Sequence, residues 1–357
     1  MTLLHPRLKR TAYRSTLLLA VVWLAITGCG PPPSPATETA TSFYHWKTAV
    51  SIDSITQSFL DTLQVTRLYV KYFDLDWDAA REEVVPLARV QFTHLPKGET
   101  ELVPTIFITN RSMAQLPADQ VGMLAQKTVA KIRALHPAQA LSISEIQLDC
   151  DWTASTRERY FGFLRAIKKE VGPQVQLSAT IRLHQISGFR QTGVPPVAAG
   201  SLMLYNVGQV GEWEETNSIL SATAIRPYLT DAIDRYPIPL RLALPLYSWG
   251  CVFRESDLLY LINGLRAADL TDTLRFKSIG LQRYEVQKST YLNSYYLYRG
   301  ERIRLETIYP DSLHRVAQQL TDWLPSKVEE VTFYHLDSDI LRHWTYDDLE
   351  ELLRILP

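Results

Sequence analysis

The chain has 357 residues, 46% hydrophobic and 21% charged, with a formal net charge of -1. That length can bury one large core or two modest ones. The near-zero balance of charge argues against a surface built to hold a polyanion, so nucleic acid is set aside as a partner.

In chain order, Arg7, Lys9, Arg10 and Arg14 give a positive start, and an apolar run from Leu17 to Ile26 follows. The run is too short to span a bilayer as a free helix. It ends Ile26-Thr27-Gly28-Cys29, which resembles a bacterial lipoprotein signal box. The resemblance implies a signal peptide over 1–29, lipidation of Cys29 and a membrane anchor in the cell envelope. Gly30 rather than Asp after the cysteine points to the outer membrane, facing the periplasm or the exterior. Residues 30–42 are polar and proline-rich and read as a tether. Cys150 and Cys251 remain. A disulfide is open to them, but Cys150 sits in the apolar phase of a strand and reads as a small buried hydrophobe.

From about residue 43 to 357 strands and helices alternate. Phe43–Trp46 reads as a first strand, Ile52–Leu63 as a helix and Arg67–Phe73 as a second strand. A long polar connection with Pro86, Pro96 and Gly98 leads to a third strand, Leu102–Ile108. Asp119–Leu135 is predicted as a helix. Glu145–Thr153 is the fourth strand, with Ile146, Leu148, Cys150 and Trp152 alternating with Glu145, Gln147, Asp149 and Asp151. In a strand those alternating sets lie on opposite faces. A helix capped by Ser155 or Thr156 follows, then strands at Val175–Leu183, Ser201–Tyr205 and Leu240–Tyr247, the last two separated by a helix over Asn217–Arg235. Glu255–Leu265 is predicted as helical, and 279–308 as an antiparallel insertion. A helix at Leu313–Leu324, an eighth strand at Val331–Asp337 and a helix at Asp347–Leu356 complete the chain. Eight apolar strands separated mostly by helices predict an α/β fold, a TIM-type (β/α)8 barrel with a small antiparallel β insertion after the seventh strand.

In such barrels the site lies at the C-terminal ends of the strands. Here those ends carry His45 and Trp46, Asp74 and Asp76, Asn110 and Arg111, Asp149 and Asp151, Arg182 and His184, Tyr205 and Asn206, Tyr247 and Trp249, and His335 and Asp337. Carboxylates mixed with aromatic rings suit a sugar: the acids can donate or accept protons, and a ring can stack on the sugar. Each also has a structural reading. Asp74 and Asp76 can cap a loop, Arg182 can pair with an inner carboxylate such as Asp149, and most aromatics fill cores. Three histidines, His45, His184 and His335, rank below hydrogen-bonded site residues as a metal set. No zinc spacing, phosphate loop or G-x-S-x-G elbow occurs, and no cofactor is called for.

Leu148-Asp-Cys-Asp-Trp-Thr153, Leu202-Met-Leu-Tyr-Asn206 and Leu242-Ala-Leu-Pro-Leu-Tyr247 resemble the fourth, sixth and seventh strands of chitinase-like, family-eighteen glycoside hydrolases. The chain as a whole also resembles uncharacterised bacterial lipoproteins with such barrels. The resemblance implies a glycan as substrate or ligand; it names no protein partner. Where that family carries its acid glutamate this chain has Thr153, which cannot donate that proton. Two functions follow. One is a glycoside hydrolase with Asp151 as acid and Asp149 as its partner, with Asp74, Asp337 or Glu145 as a further carboxylate. The other is a catalytically silent glycan-binding or structural envelope lipoprotein. In either, His45, Trp46, Asp74, Arg111, Arg182, His184, Tyr205, Asn206, Tyr247, Trp249, His335 and Asp337 are the expected contacts to the sugar.

Overall fold

The computed structural model describes residues 39–229, 233–324 and 328–356. The expected signal segment, Cys29 and the expected tether up to residue 38 lie outside the described residues.

Eight parallel strands close on themselves. They are β1 (Ala40–His45), β2 (Arg67–Asp78), β3 (Glu101–Ile108), β4 (Glu145–Cys150), β5 (Gln176–Arg182), β6 (Ala199–Met203), β7 (Leu240–Pro245) and β8 (Glu330–Tyr334). The ring closes because β1 pairs with β8 on one side, Phe43 opposite Phe333, and with β2 on the other, Phe43 opposite Leu68. This is the (β/α)8 barrel that the spacing of apolar strands predicts.

Alternation sorts each strand. On β4 all six residues are buried. Ile146, Leu148 and Cys150 belong to the apolar layer beneath the helices, whereas Glu145, Gln147 and Asp149 point into the barrel. Helix Arg157–Val171 covers that layer with Tyr160, Phe161, Phe163, Leu164 and Ile167. Each such apolar side chain contributes about 1.5–3 kcal/mol by leaving water. Thr156 is the N-cap residue of Arg157–Val171 but makes no side-chain cap bond to it. Another helix start is closed locally. At Ser54–Thr62, Asp53 accepts from the Thr56 N–H at 2.9 Å while Thr56 Oγ1 accepts from the Asp53 N–H at 2.9 Å, a reciprocal cap.

Three elements differ from expectation. The connection between β2 and β3 holds no helix, as its polar, proline-containing sequence predicts, but it is not irregular: β2 runs on past the barrel and pairs antiparallel with Glu83–Leu87, and Gln91–His94 pairs with Ala49–Ser51. Glu255–Leu265, predicted helical, is the strand Asp257–Asn263, turned back on Ser248–Arg254. Its run Leu258–Ile262 fits either period, and a tight reversal at Glu255 (φ 56°) decides for the hairpin. The antiparallel insertion therefore begins at Ser248. Five of its strands, these two with Phe276–Gly280, Arg283–Val286 and Arg302–Thr307, form one sheet around its own small core of Val252, Ile262, Leu265, Phe276 and Ile303, and Thr290–Leu292 pairs with Tyr295–Leu297 in a separate hairpin. The helix expected over Asn217–Arg235 starts later, at Ala222, because Asn217 caps a turn through the N–H of Ile219.

Both remaining cysteines are free and buried, in different elements.

Candidate functional site

The two ends of the barrel interior differ. At the N-terminal end Arg241 of β7 bridges Glu145 (2.6 Å) and Glu330 (3.3 Å), and Arg67 of β2 pairs with Glu330 at 2.7 Å. Ser178 donates to Glu145 at 2.5 Å and Tyr69 to Glu330 at 2.9 Å. Glu145, considered as a site carboxylate, thus belongs to a sealed plug at the far end. One layer up, Gln147 accepts from Tyr44 (2.8 Å) and donates to Ser201 (3.0 Å).

Above that layer the strand ends open into a cleft of about 930 Å³. Asp149 lies at its floor, and Trp46, Tyr205, Tyr247, Trp249 and Tyr334 line it. Tyr334, at the end of β8, joins the rings: its centroid lies 5.8 Å from Trp46, 5.1 Å from Tyr205 and 5.6 Å from Tyr247. Such tilted and edge-on spacings are favourable beyond area alone. Tyr247 donates to Asn206 at 2.5 Å, and Asn206 adopts a positive φ of 56° at the turn after β6.

The two aspartates of β4 have different surroundings. Asp149 is 3% exposed and accepts from Thr180 at 2.5 Å. Burial raises its carboxyl above the usual range, against the pull of Arg182. Asp151 is 52% exposed, ion-paired with Arg182, and lines a smaller side pocket of about 310 Å³ with His184. Burial would lower the Arg182 guanidinium, but Asp149 and Asp151 outweigh it and hold it charged. Asp151, expected as the proton donor, is thus engaged by Arg182 outside the main cleft. Thr153 is exposed; its N–H and its hydroxyl turn to the start of the next helix, the N–H donating to Thr156 Oγ1 at 2.9 Å.

Nine of the fourteen expected catalytic and contact residues line the main cleft: Trp46, Asp149, Arg182, Tyr205, Asn206, Tyr247, Trp249, His335 and Asp337. His184 and Asp151 line the side pocket. Three take other places. Arg111 is exposed and holds Asp76 at 2.5 Å, beyond the cleft wall. Asp74 faces Lys71 at 3.1 Å, whose ammonium lies 5.8 Å from the centre of the Trp46 ring. A break in pairing register between Lys71 and Phe73 sets this placement, which strict alternation does not foresee. His45 is buried behind the cleft, within electrostatic reach of His335. Burial pushes both imidazoles down to about 4, so both are neutral at pH 7. Asp337 pairs with Lys47 and caps the short helix Ser338–Leu341. His184 stands apart, and among the described residues no metal-binding cluster of His, Cys, Asp or Glu occurs.

The insertion supplies cleft residues that the sequence does not announce, Asn263, Arg266 and Asn293 among them. It also holds Trp249 in place. Glu306, fully buried and paired with Arg304 at 2.7 Å, accepts from Trp249 Nε1 at 2.9 Å and from Ser218 N–H at 2.8 Å. Tyr334 was within reach of the sequence, because it shares the inner phase of β8 with Thr332.

No family model and no curated protein matches the chain. Solved structures do. The spore cortex-lytic enzyme SleL of Bacillus cereus matches with a TM-score of 0.53 at 13% identity, over 91% of this chain and 76% of that one. The chitinase RmChi1 of Rhizomucor miehei matches at 0.52 and 11% identity, over 88% and 100%. A chitinase from Bacteroides thetaiotaomicron matches at 0.51 and 10%, over 89% and 95%. The likeness to chitinase-like barrels expected from the strand motifs is present in the fold, and at these identities it speaks for the fold alone.

Proposed function

We propose that this protein binds a glycan in the cleft at the C-terminal end of the barrel and does not cleave it by an acid at position 153. The observation that carries this reading is the aromatic wall of Trp46, Tyr334 and Tyr247 around the buried carboxyl of Asp149. Rings of this kind stack on sugar faces, and a few polar groups among them fix orientation. Chitinases and a cortex-lytic enzyme share the barrel, which favours a glycan of N-acetylated sugars. Asp151 has its charge matched by Arg182, so its role is to hold that guanidinium at the cleft edge rather than to donate a proton. The sequence box at Cys29 supports a lipid anchor in the bacterial envelope, and with it an envelope glycan as ligand.

Hydrolysis is a second reading, and one observation favours it. Asp149 opens on the cleft with its carboxyl raised, as a proton donor requires. A glycan panel assayed for both binding and new reducing ends separates the two. Saturable binding without cleavage is the expected result. Cleavage by wild type that Asp149→Asn abolishes would establish the hydrolase instead, and absence of binding to every glycan would remove both readings.

A further inference from the structure

Four cations line the cleft: Lys47, Arg182, Arg266 and Arg342. Lys47 pairs with Asp337, Arg182 with Asp151 and Arg342 with Asp339 at 3.4 Å. Arg266 has no carboxylate at ion-pair distance among the described residues. It is half-buried, just after the strand Asp257–Asn263. The carboxylate that acts on it electrostatically is Asp269, and one Asp269 oxygen is taken by the Arg266 main-chain N–H at 2.8 Å. Burial lowers the Arg266 guanidinium from its ordinary value, and those two neighbours, Asp269 and Tyr309, only partly restore it.

The same wall carries His343. Burial first, then Arg266 and Arg342, push its imidazole down against the opposing pull of Asp269 and Asp339, which places three basic groups within reach of one another. Both of those carboxylates are already engaged, Asp269 by the Arg266 main-chain N–H and Asp339 by Arg342. A partly desolvated cation without a partner is unfavourable, and a ligand that supplies the missing charge relieves it. A neutral sugar does not.

We propose that Arg266 receives a carboxylate carried by the bound glycan, so that the insertion selects an acidic over a neutral chain. The inference rests on the cleft being a glycan site. The flat guanidinium can give two parallel N–H donors to one carboxylate, a geometry that lysine cannot copy. The barrel strands would then supply the aromatic wall that any such chain meets, and the insertion the choice among chains.

The test is calorimetric titration of the full folded protein at low salt with two probes. One is a tetrasaccharide alternating N-acetylglucosamine and N-acetylmuramic acid; the other is its dimethyl ester, in which both carboxylates lose their charge and gain a methyl group. Wild type is expected to prefer the free acid at least tenfold, about 1.4 kcal/mol. In Arg266→Gln, with its thermal midpoint compared with wild type, the acid-to-ester ratio is expected to fall to within about twofold of one. Arg266→Lys, which keeps the charge and loses the fork, is expected to retain part of the preference, and it stands in if the glutamine variant does not fold. Equal affinities of wild type for both probes, or a preference that survives in Arg266→Gln, would overturn the assignment while leaving the cleft a glycan site. Binding of neither probe would overturn both.

Discussion

Glu145 and Asp149 sit on one strand and one face, four residues apart, and meet opposite fates. Glu145 is surrounded by donors: Arg241 and Ser178 both reach it. Asp149 has Thr180 and the field of Arg182, and beyond it the barrel opens. The plug end satisfies its buried charges internally, as a closed structural element must. The cleft end leaves demands outstanding: a raised carboxyl, an Arg266 without an ion partner, and imidazole Nδ1 atoms of His45 and His335 with no hydrogen bond. Unmet polar demand at one end of a barrel, against complete satisfaction at the other, marks the end that meets a ligand.

The sharpest break in that contrast is to open the plug. Arg241→Met strands Glu145 as a buried carboxylate and leaves Glu330 paired with Arg67, and loss of a buried partner typically costs about 3–5 kcal/mol. Denaturant unfolding is expected to report a loss of that size. A change under about 1 kcal/mol would mean that the plug is not what closes this end.

The histidines test the cleft end by pH. Both imidazoles are held neutral down to about 4, whereas the unfolded chain takes up protons near 6.5. Below about 6.5 the unfolded state therefore binds more protons, and stability falls as pH drops towards 4, by about 3 kcal/mol for each group. His45→Gln is expected to flatten part of that slope. An unchanged slope would contradict the burial ascribed to His45.

Asp149 has the opposite sign. Its raised carboxyl favours the folded state most at low pH, and that contribution is lost as pH rises through its folded value. Asp149→Asn keeps an acceptor for Thr180 and removes the charge. Its unfolding midpoint is expected to exceed that of wild type at pH 7 and to converge with it below pH ~4. A lower midpoint at pH 7 would show that the charge is stabilising.

The smallest effect is expected outside both ends. Arg111 and Asp76 form an exposed pair, with Asp76 held below its ordinary range because the bonds from Thr109 and Arg111 outweigh the effect of burial. Arg111→Ala is expected to cost less than about 1 kcal/mol and to leave glycan affinity as in wild type. A loss of affinity would return Arg111 to the cleft.

What could be read in advance follows from what each signal depends on. Alternation in Glu145–Cys150 is local, and it marks β4 and the inner face that carries Asp149; the strand ends at Cys150 rather than at Thr153, which turns Asp151 out to the side pocket. The prolines of the 79–100 connection exclude a long helix there, and none formed. The run Leu258–Ile262 carried no such punctuation, and only its partner Ser248–Arg254 made it a strand. Asp74 and Arg111 looked like site residues because they follow strands, but a register break and an ion pair moved them. Arg266 and Glu306 gave no local signal at all, because their roles exist only once the insertion folds back on the barrel mouth.

The most direct test is titration of an N-acetylglucosamine oligosaccharide into wild type and Trp46→Ala, followed by calorimetry. Trp46 is half-buried on the cleft wall, so its removal takes away a stacking face without opening the core. The expected result is saturable binding by wild type, weakened at least tenfold in Trp46→Ala, about 1.4 kcal/mol. Binding of equal strength in both proteins would place the glycan elsewhere, and no binding by wild type to this or any other glycan would contradict the cleft as a sugar site.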